Sequence, residues 1–186
     1  DTIQHNTFDG VDLHVLGSGG NGFAAQYGSI YNVDASDNGD FGFNIGALAL
    51  ASDAEQQFYM VDVTADHEGK SGMQIVAASA GYTAGSYKNY PAHVGQNIYA
   101  IYGSFSHNAE TGVSVYNSAT GGAAIDQYIF LYGLDISHNA HNGFYEYSYA
   151  TGTSTAMPSQ RYSTRQILDS VVDHNGNRSA DPAFTE

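Results

Sequence analysis

No cysteine and no tryptophan occur among the 186 residues, and five lysines and arginines stand against nineteen aspartates and glutamates. Without cysteine there is no disulfide framework, which leaves the cellular compartment open. The net charge of −14 argues against nucleic acid and against an anionic membrane surface as partners. No apolar run is long enough for a membrane helix, so membrane insertion is not expected. No secretory leader is present either; an export signal, if the protein has one, has been removed or lies outside this segment. Finally, no window of 12 or more residues carries a helical period.

What the sequence does contain is a repeat. SHNAETG at 106–112 returns as SHNAHNG at 137–143, and related phrases are QHNTFDG at 4–10, SDNGDFG at 36–42, DHEGKSG at 66–72 and DHNGN at 173–177. Their third letters are Asn6, Asn38, Glu68, Asn108, Asn139 and Asn175, separated by 32, 30, 40, 31 and 36 residues. Periods of this size signal stacked structural repeats. In five copies a glycine follows four residues later, at Gly10, Gly42, Gly72, Gly112 and Gly143, as suits a positive φ or a close backbone approach; the sixth has Ser179.

Around each phrase lie short runs rich in Val, Ile, Phe and Tyr: IYGSF, LYGLDI and ILDSVV before it, and FNI, MQI, VSV and FYEY after the glycine. Such runs read as strands. Strand, turn and strand repeated in this way predict an all-β parallel β-helix of about five to seven coils, in which Asn stacks over Asn and the amides satisfy one another. A composition 42% hydrophobic and 13% aromatic supplies a core for a single domain over 1–186. The abrupt, strand-like start at TIQHN reads as a processed module or as the distal part of a larger one.

His5, His67, His107, His138 and His174 each precede the column residue. That position assigns them a turn role, since a zinc site needs three or four convergent ligands. Period-two alternation turns Phe43, Ile45, Met73, Ile75, Val113 and Val115 inward. It turns Asn44, Gln74, Ser114 and Tyr145 outward in one column, with Tyr116 and Tyr147 in the next. A polar column beside an aromatic one is a track for an extended sugar chain, although tyrosine is also simply a favoured strand residue. Glu146 breaks the pattern, and a bulge there would spare a carboxylate from burial.

GFAAQY at 22–27, SDNGDFGFN at 36–44 and the repeated [SD]-H-N-x-x-x-G turns, with QRYSTRQILDSVVDHN near the C-terminus, resemble the catalytic modules of secreted bacterial mannuronan C-5 epimerases. The resemblance implies a right-handed parallel β-helix, an acidic polysaccharide substrate (alginate or a related polyuronate), calcium dependence and secretion. It also implies proton abstraction at C-5 by a Tyr and a His in an Asp-Pro-His motif, with a lysine on the preceding coil. Asp12-Leu13-His14 is the nearest match, two residues apart on one strand face. Gln26 stands where the family suggests an acidic groove residue, Phe41 where a His is usual, and the only lysines are Lys70 and Lys88. Gln26 and Tyr27 are expected to line the sugar track together with Asn44, Gln74 and Tyr116, Tyr27 having no assigned catalytic role. A non-catalytic polysaccharide-binding or adhesive β-helix is therefore the alternative.

Two registers are open for the Asp12 strand. If Asn6 and Gly10 form a true turn, Asp12 and His14 project beside Asn44. If GSGGNGF is the turn, with Ser18 in the Asn column, VDLHVL precedes it; the match through GFAAQY favours this second register. For calcium, Asp34, Asp37 and Asp40 in DASDNGD offer hard oxygen ligands at close spacing, though a solvated acidic loop has the same composition.

Overall fold

A computed structural model describes residues 1–19, 22–81, 92–151 and 160–176. Among them there is no helix, and ten strands form two parallel sheets. The first sheet has the order β1-β3-β5-β7-β9, with β1 Val11–Ser18, β3 Phe43–Leu50, β5 Met73–Ala80, β7 Val113–Thr120 and β9 Phe144–Thr151. The second has the order β10-β8-β6-β4-β2, with β2 Phe23–Asp34, β4 Asp53–Thr64, β6 His93–Ser104, β8 Ala124–Asp135 and β10 Gln160–Leu168. Each repeat thus gives one strand to each sheet, an alternation compatible with a solenoid.

The Asn phrase is the turn that carries the chain from the second sheet to the first. The residue before each column position is left-handed, with φ of 60° at His5, 58° at Asp37, 61° at His67, 57° at His107, 58° at His138 and 52° at His174. Histidine, asparagine and aspartate tolerate that region better than bulkier residues do. The glycine four residues on serves close approach, not a positive φ: a Cβ on Gly42 would lie 2.2 Å from Ala65 Cβ, and one on Gly112 2.3 Å from Ile136 Cγ2. Ser179 lies outside the described residues.

Each column side chain caps the main chain of the repeat before it. Asn108 N–H donates to Asn139 Oδ1 at 3.0 Å and Asn139 N–H to Asn175 Oδ1 at 2.9 Å. Asn38 N–H donates to Glu68 Oε2 at 2.8 Å and Glu68 N–H to Asn108 Oδ1 at 2.9 Å. The amide Nδ2 groups of Asn38, Asn139 and Asn175 reach main-chain carbonyls at Ala35, Phe105 and Ile136. The expected amide stack is therefore present, with Glu68 as its irregular member.

Inside, Phe43, Ile45, Met73, Ile75, Val113 and Val115 have no exposed surface and pack with Met60, Ile98, Ile129 and Leu131 of the other sheet. A second cluster of smaller residues, including Ala47, Ala77, Ala119, Ala54 and Val94, fills the rest of the core. Between the two clusters runs a second amide ladder that the strand pattern alone does not reveal. Gln56 Nε2 donates to Gln26 Oε1 at 2.9 Å, Gln96 Nε2 to Gln56 Oε1 at 2.7 Å and Gln127 Nε2 to Gln96 Oε1 at 2.6 Å. Gln56 and Gln96 also donate to Gly46 O and Val76 O of the first sheet, so the ladder ties the sheets together.

Glu68 is 2% exposed, and its Oε1 finds no partner where an asparagine would present a donor. Burial pushes its carboxyl up from 4.5 to about 8; the Asn38 N–H opposes the shift, and the charges of Asp37 and Asp66 add to it. The folded pKa lies above the unfolded one, so the contribution of the neutral acid is complete below the unfolded value and is lost as pH rises through about 8. Urea midpoints should therefore fall between about pH 5 and about pH 9 in the wild type, and fall less in Glu68→Gln; equal falls would contradict the assignment. Asn108→Leu, which strands the buried partners of an intact rung, should cost roughly 1–3 kcal/mol by the same measurement at any pH.

Candidate functional site

The first register is the one the chain adopts. β1 pairs with β3 so that Asp12 lies beside Asn44 and His14 beside Gly46. Gly10 N–H donates to Phe41 O at 2.8 Å, and Asn6 Nδ2 to Asn38 Oδ1 at 2.9 Å, which makes QHNTFDG a true turn. Ser18 is instead the last residue of β1. The register suggested through GFAAQY is overturned, because it would remove Asn6 from the ladder and make VDLHVL a strand of the second sheet, whereas β1 pairs with β3 in the first.

Asp12 and His14 project outward and join, with His14 Nε2 2.6 Å from Asp12 Oδ1 and both side chains about half exposed. A Cβ on Gly46 would lie 2.2 Å from His14 Nδ1, so the imidazole rests in the space that glycine leaves on the neighbouring strand. Beyond it the same outward column continues through Val76, Tyr116 and Tyr147. Three strand intervals of about 4.8 Å separate His14 from Tyr116, too far for the two to act on opposite faces of one sugar.

The parallel column reads Asp12, Asn44, Gln74, Ser114, Tyr145. Asn44 Nδ2 is held by Asp9 Oδ2 at 2.9 Å. Ser114 is 2% exposed and donates to Met73 O, so it is no contact residue for a polymer. Tyr116 and Tyr145 lean together with ring centroids 6.1 Å apart. Tyr116, Tyr147 and Tyr149 wall a cleft of about 280 Å³ floored by Val76 and Ala78.

Gln26 and Tyr27 do not belong to this face. Both lie on β2 in the other sheet, Gln26 pointing inward as the first rung of the glutamine ladder. Tyr27 points outward there and donates to Glu55 Oε2 at 2.6 Å, which holds its phenol above the usual range. Glu146 needs no bulge: the register runs straight through Val115 and Glu146, and the carboxylate lies on the inner column, 2.5 Å from Arg165 Nη2.

Two of the three loop aspartates have side-chain partners elsewhere. Asp34 accepts from Gln4 and Ser36, Asp37 takes the left-handed place before the column, and Asp40 pairs with Lys70 at 3.0 Å. Among the described residues no group of three or more His, Cys, Asp or Glu side chains converges as a metal site. The histidines of the turn stack face to face, His67 on His107, His107 on His138 and His138 on His174, at 5.0–5.1 Å between ring centroids, with no common focus for their nitrogens.

The strand pattern also left unread the outer face of the second sheet. Tyr59 and Tyr99 stack at 4.5 Å, and Tyr128, Phe130 and Tyr132 continue the aromatic surface. IYGSF and LYGLDI signalled strands there without showing which side faced water. No known protein family, curated protein or solved structure matches the chain. The likeness to epimerase modules therefore rests on the short motifs alone.

The Glu146–Arg165 pair gives a double-mutant test, its side chains being 29% and 15% exposed. Glu146→Leu alone should cost roughly 1–3 kcal/mol by leaving a covered guanidinium without its counter-charge, and Glu146→Leu/Arg165→Leu should recover much of that loss in urea titrations.

Proposed function

We propose that this chain is a secreted, right-handed parallel β-helix that binds an extended acidic polysaccharide, an alginate-type polyuronate, along the outer face of β1-β3-β5-β7-β9. The observation that carries the reading is a contrast of charge. The whole chain is at −14, yet Asp12 is the one carboxylate among the outward positions of these five strands, and it is paired with His14. A polyanion is repelled by an acidic surface and tolerated by a neutral one. Tyr116, Tyr147 and Tyr149 supply flat apolar faces for sugar rings, and Gln74 a neutral hydrogen-bonding amide. Strands about 4.8 Å apart repeat at nearly the length of one sugar in an extended chain.

Asp12 and His14 support a second reading, polyuronate C-5 epimerase or lyase. Asp12 orients the imidazole as a carboxylate orients a general base. Turnover also demands an acid on the opposite side of the sugar and a cation to neutralise its carboxylate. Among the described residues no lysine, arginine or tyrosine stands close enough to His14 on this face to do so. Binding without turnover is therefore the primary reading.

Calorimetry with a mannuronan hexasaccharide tests it. Tyr116→Ala and Tyr147→Ala should each weaken binding roughly tenfold, about 1.4 kcal/mol, while an undiminished affinity in both would move the polymer off this face. Proton NMR of mannuronan incubated with the protein, with and without calcium, should stay unchanged. Guluronate signals that vanish in His14→Ala, with a rate loss on the order of 100- to 10,000-fold, would establish the epimerase instead.

A further inference from the structure

A glycine that nothing in the fold requires lies in the middle of the second sheet. Gly95 is an interior residue of β6, paired with Glu55 on β4 and Asp126 on β8. Glycine weakens a strand and often marks the close approach of a ligand. Here no backbone crowding explains it: a Cβ would meet only Glu55 Cγ and His93 Cε1, each at an ordinary 3.6 Å, and Gly95 φ is not positive. The missing side chain opens a notch in an otherwise continuous outward column, with a carboxylate on either side.

The notch is part of a cleft of about 290 Å³ lined by Gly95, Asn97, Asp126, Tyr128 and Thr164. The outward column beside it runs Tyr27, Gln57, Asn97, Tyr128, Thr164, all neutral hydroxyls and amides. The same column reaches a second cleft of about 360 Å³ at Tyr27, Gln57 and Tyr59. Tyr59, Tyr99 and Phe130 form a wall on its far side. Glu55 accepts from Tyr27 and Asp126 from or beside His93 at 3.1 Å, contacts that leave acceptor positions open on both carboxylates.

We infer that this face holds a second polysaccharide site, separate from the one proposed above, which takes a neutral, extended hexose chain with one sugar seated over Gly95 between Glu55 and Asp126. Carboxylates are strong acceptors for sugar hydroxyls. With Asp53, Glu55 and Asp126 outward and no lysine or arginine among the described outward side chains, this face repels a polyuronate. Neutral hydroxyls and amides along the column favour a hydroxyl-rich polymer over a basic peptide, which the two carboxylates would hold by charge alone.

The test is calorimetry of the full chain with cellohexaose, mannohexaose, a mannuronan hexasaccharide and a lysine-rich peptide. At least one neutral hexaose should bind the wild type. Gly95→Val, which fills the notch with a residue that strands favour, should weaken that binding at least tenfold while leaving the thermal midpoint unchanged or raised. Asp126→Asn should weaken it several-fold, and neither variant should alter mannuronan binding. Absence of binding to both neutral hexaoses, equal affinity in Gly95→Val, or capture of only the lysine-rich peptide in the Gly95-dependent site would each overturn the inference. Loss of mannuronan binding in Tyr116→Ala bears on the other face alone.

Discussion

The structure depends on one recurrent hydrogen bond, from the main-chain N–H of each turn to the side-chain oxygen of the next turn's column residue. Asn38, Glu68, Asn108 and Asn139 all donate in this way, at 2.8–3.0 Å. A buried N–H without a partner is costly, so a repeat displaced by one residue along its neighbour would lose both the bond and the burial of its apolar column. Register is thereby fixed at one edge of every strand pair. Repeats of 30 and 40 residues still align, because the differing lengths are absorbed away from the turns.

Fixed register determines the surface. Once Asn44, Gln74, Ser114 and Tyr145 stand in line, so do the residues two further on, and each outward column acquires a chemical character that no single strand has. The first sheet carries a nearly uncharged outer face on a strongly acidic protein, and the second a tyrosine-rich face edged with carboxylates. Two faces of opposite electrostatic preference on one scaffold are the basis of the separate binding roles proposed for them.

The Asn column was legible in the sequence because it is marked three times over, by the histidine before it, the glycine after it and the strands around it. The glutamine ladder has the same spacing, Gln26 to Gln56 to Gln96 to Gln127, but no flanking marks, and glutamine in a strand ordinarily faces water. The strand pattern accordingly points Gln26 to the groove, whereas its side chain lies inside as the first rung of the ladder. Glu146 failed for a related reason: a carboxylate on an inner column is implausible until its partner is known, and Arg165 is nineteen residues away on the other sheet. Asp12 and His14 were undecided between two turns, and the Asn6–Asn38 hydrogen bond decides between them. The second column of left-handed residues, Asn32, Asp62, Tyr102, Gly133 and Asp169, lies five positions before the first and has no one residue type common to its members, so no motif announces it.

Native-state amide hydrogen exchange measures the central bond directly. The main-chain N–H groups of Asn38, Glu68, Asn108 and Asn139 lie in turns, where amides ordinarily exchange quickly, yet each should be protected as strongly as the core strand amides of β4 and β6. Exchange at these four positions as fast as at exposed turn residues such as Phe8 would contradict the account, since the repeats would then be held in register by something other than the column.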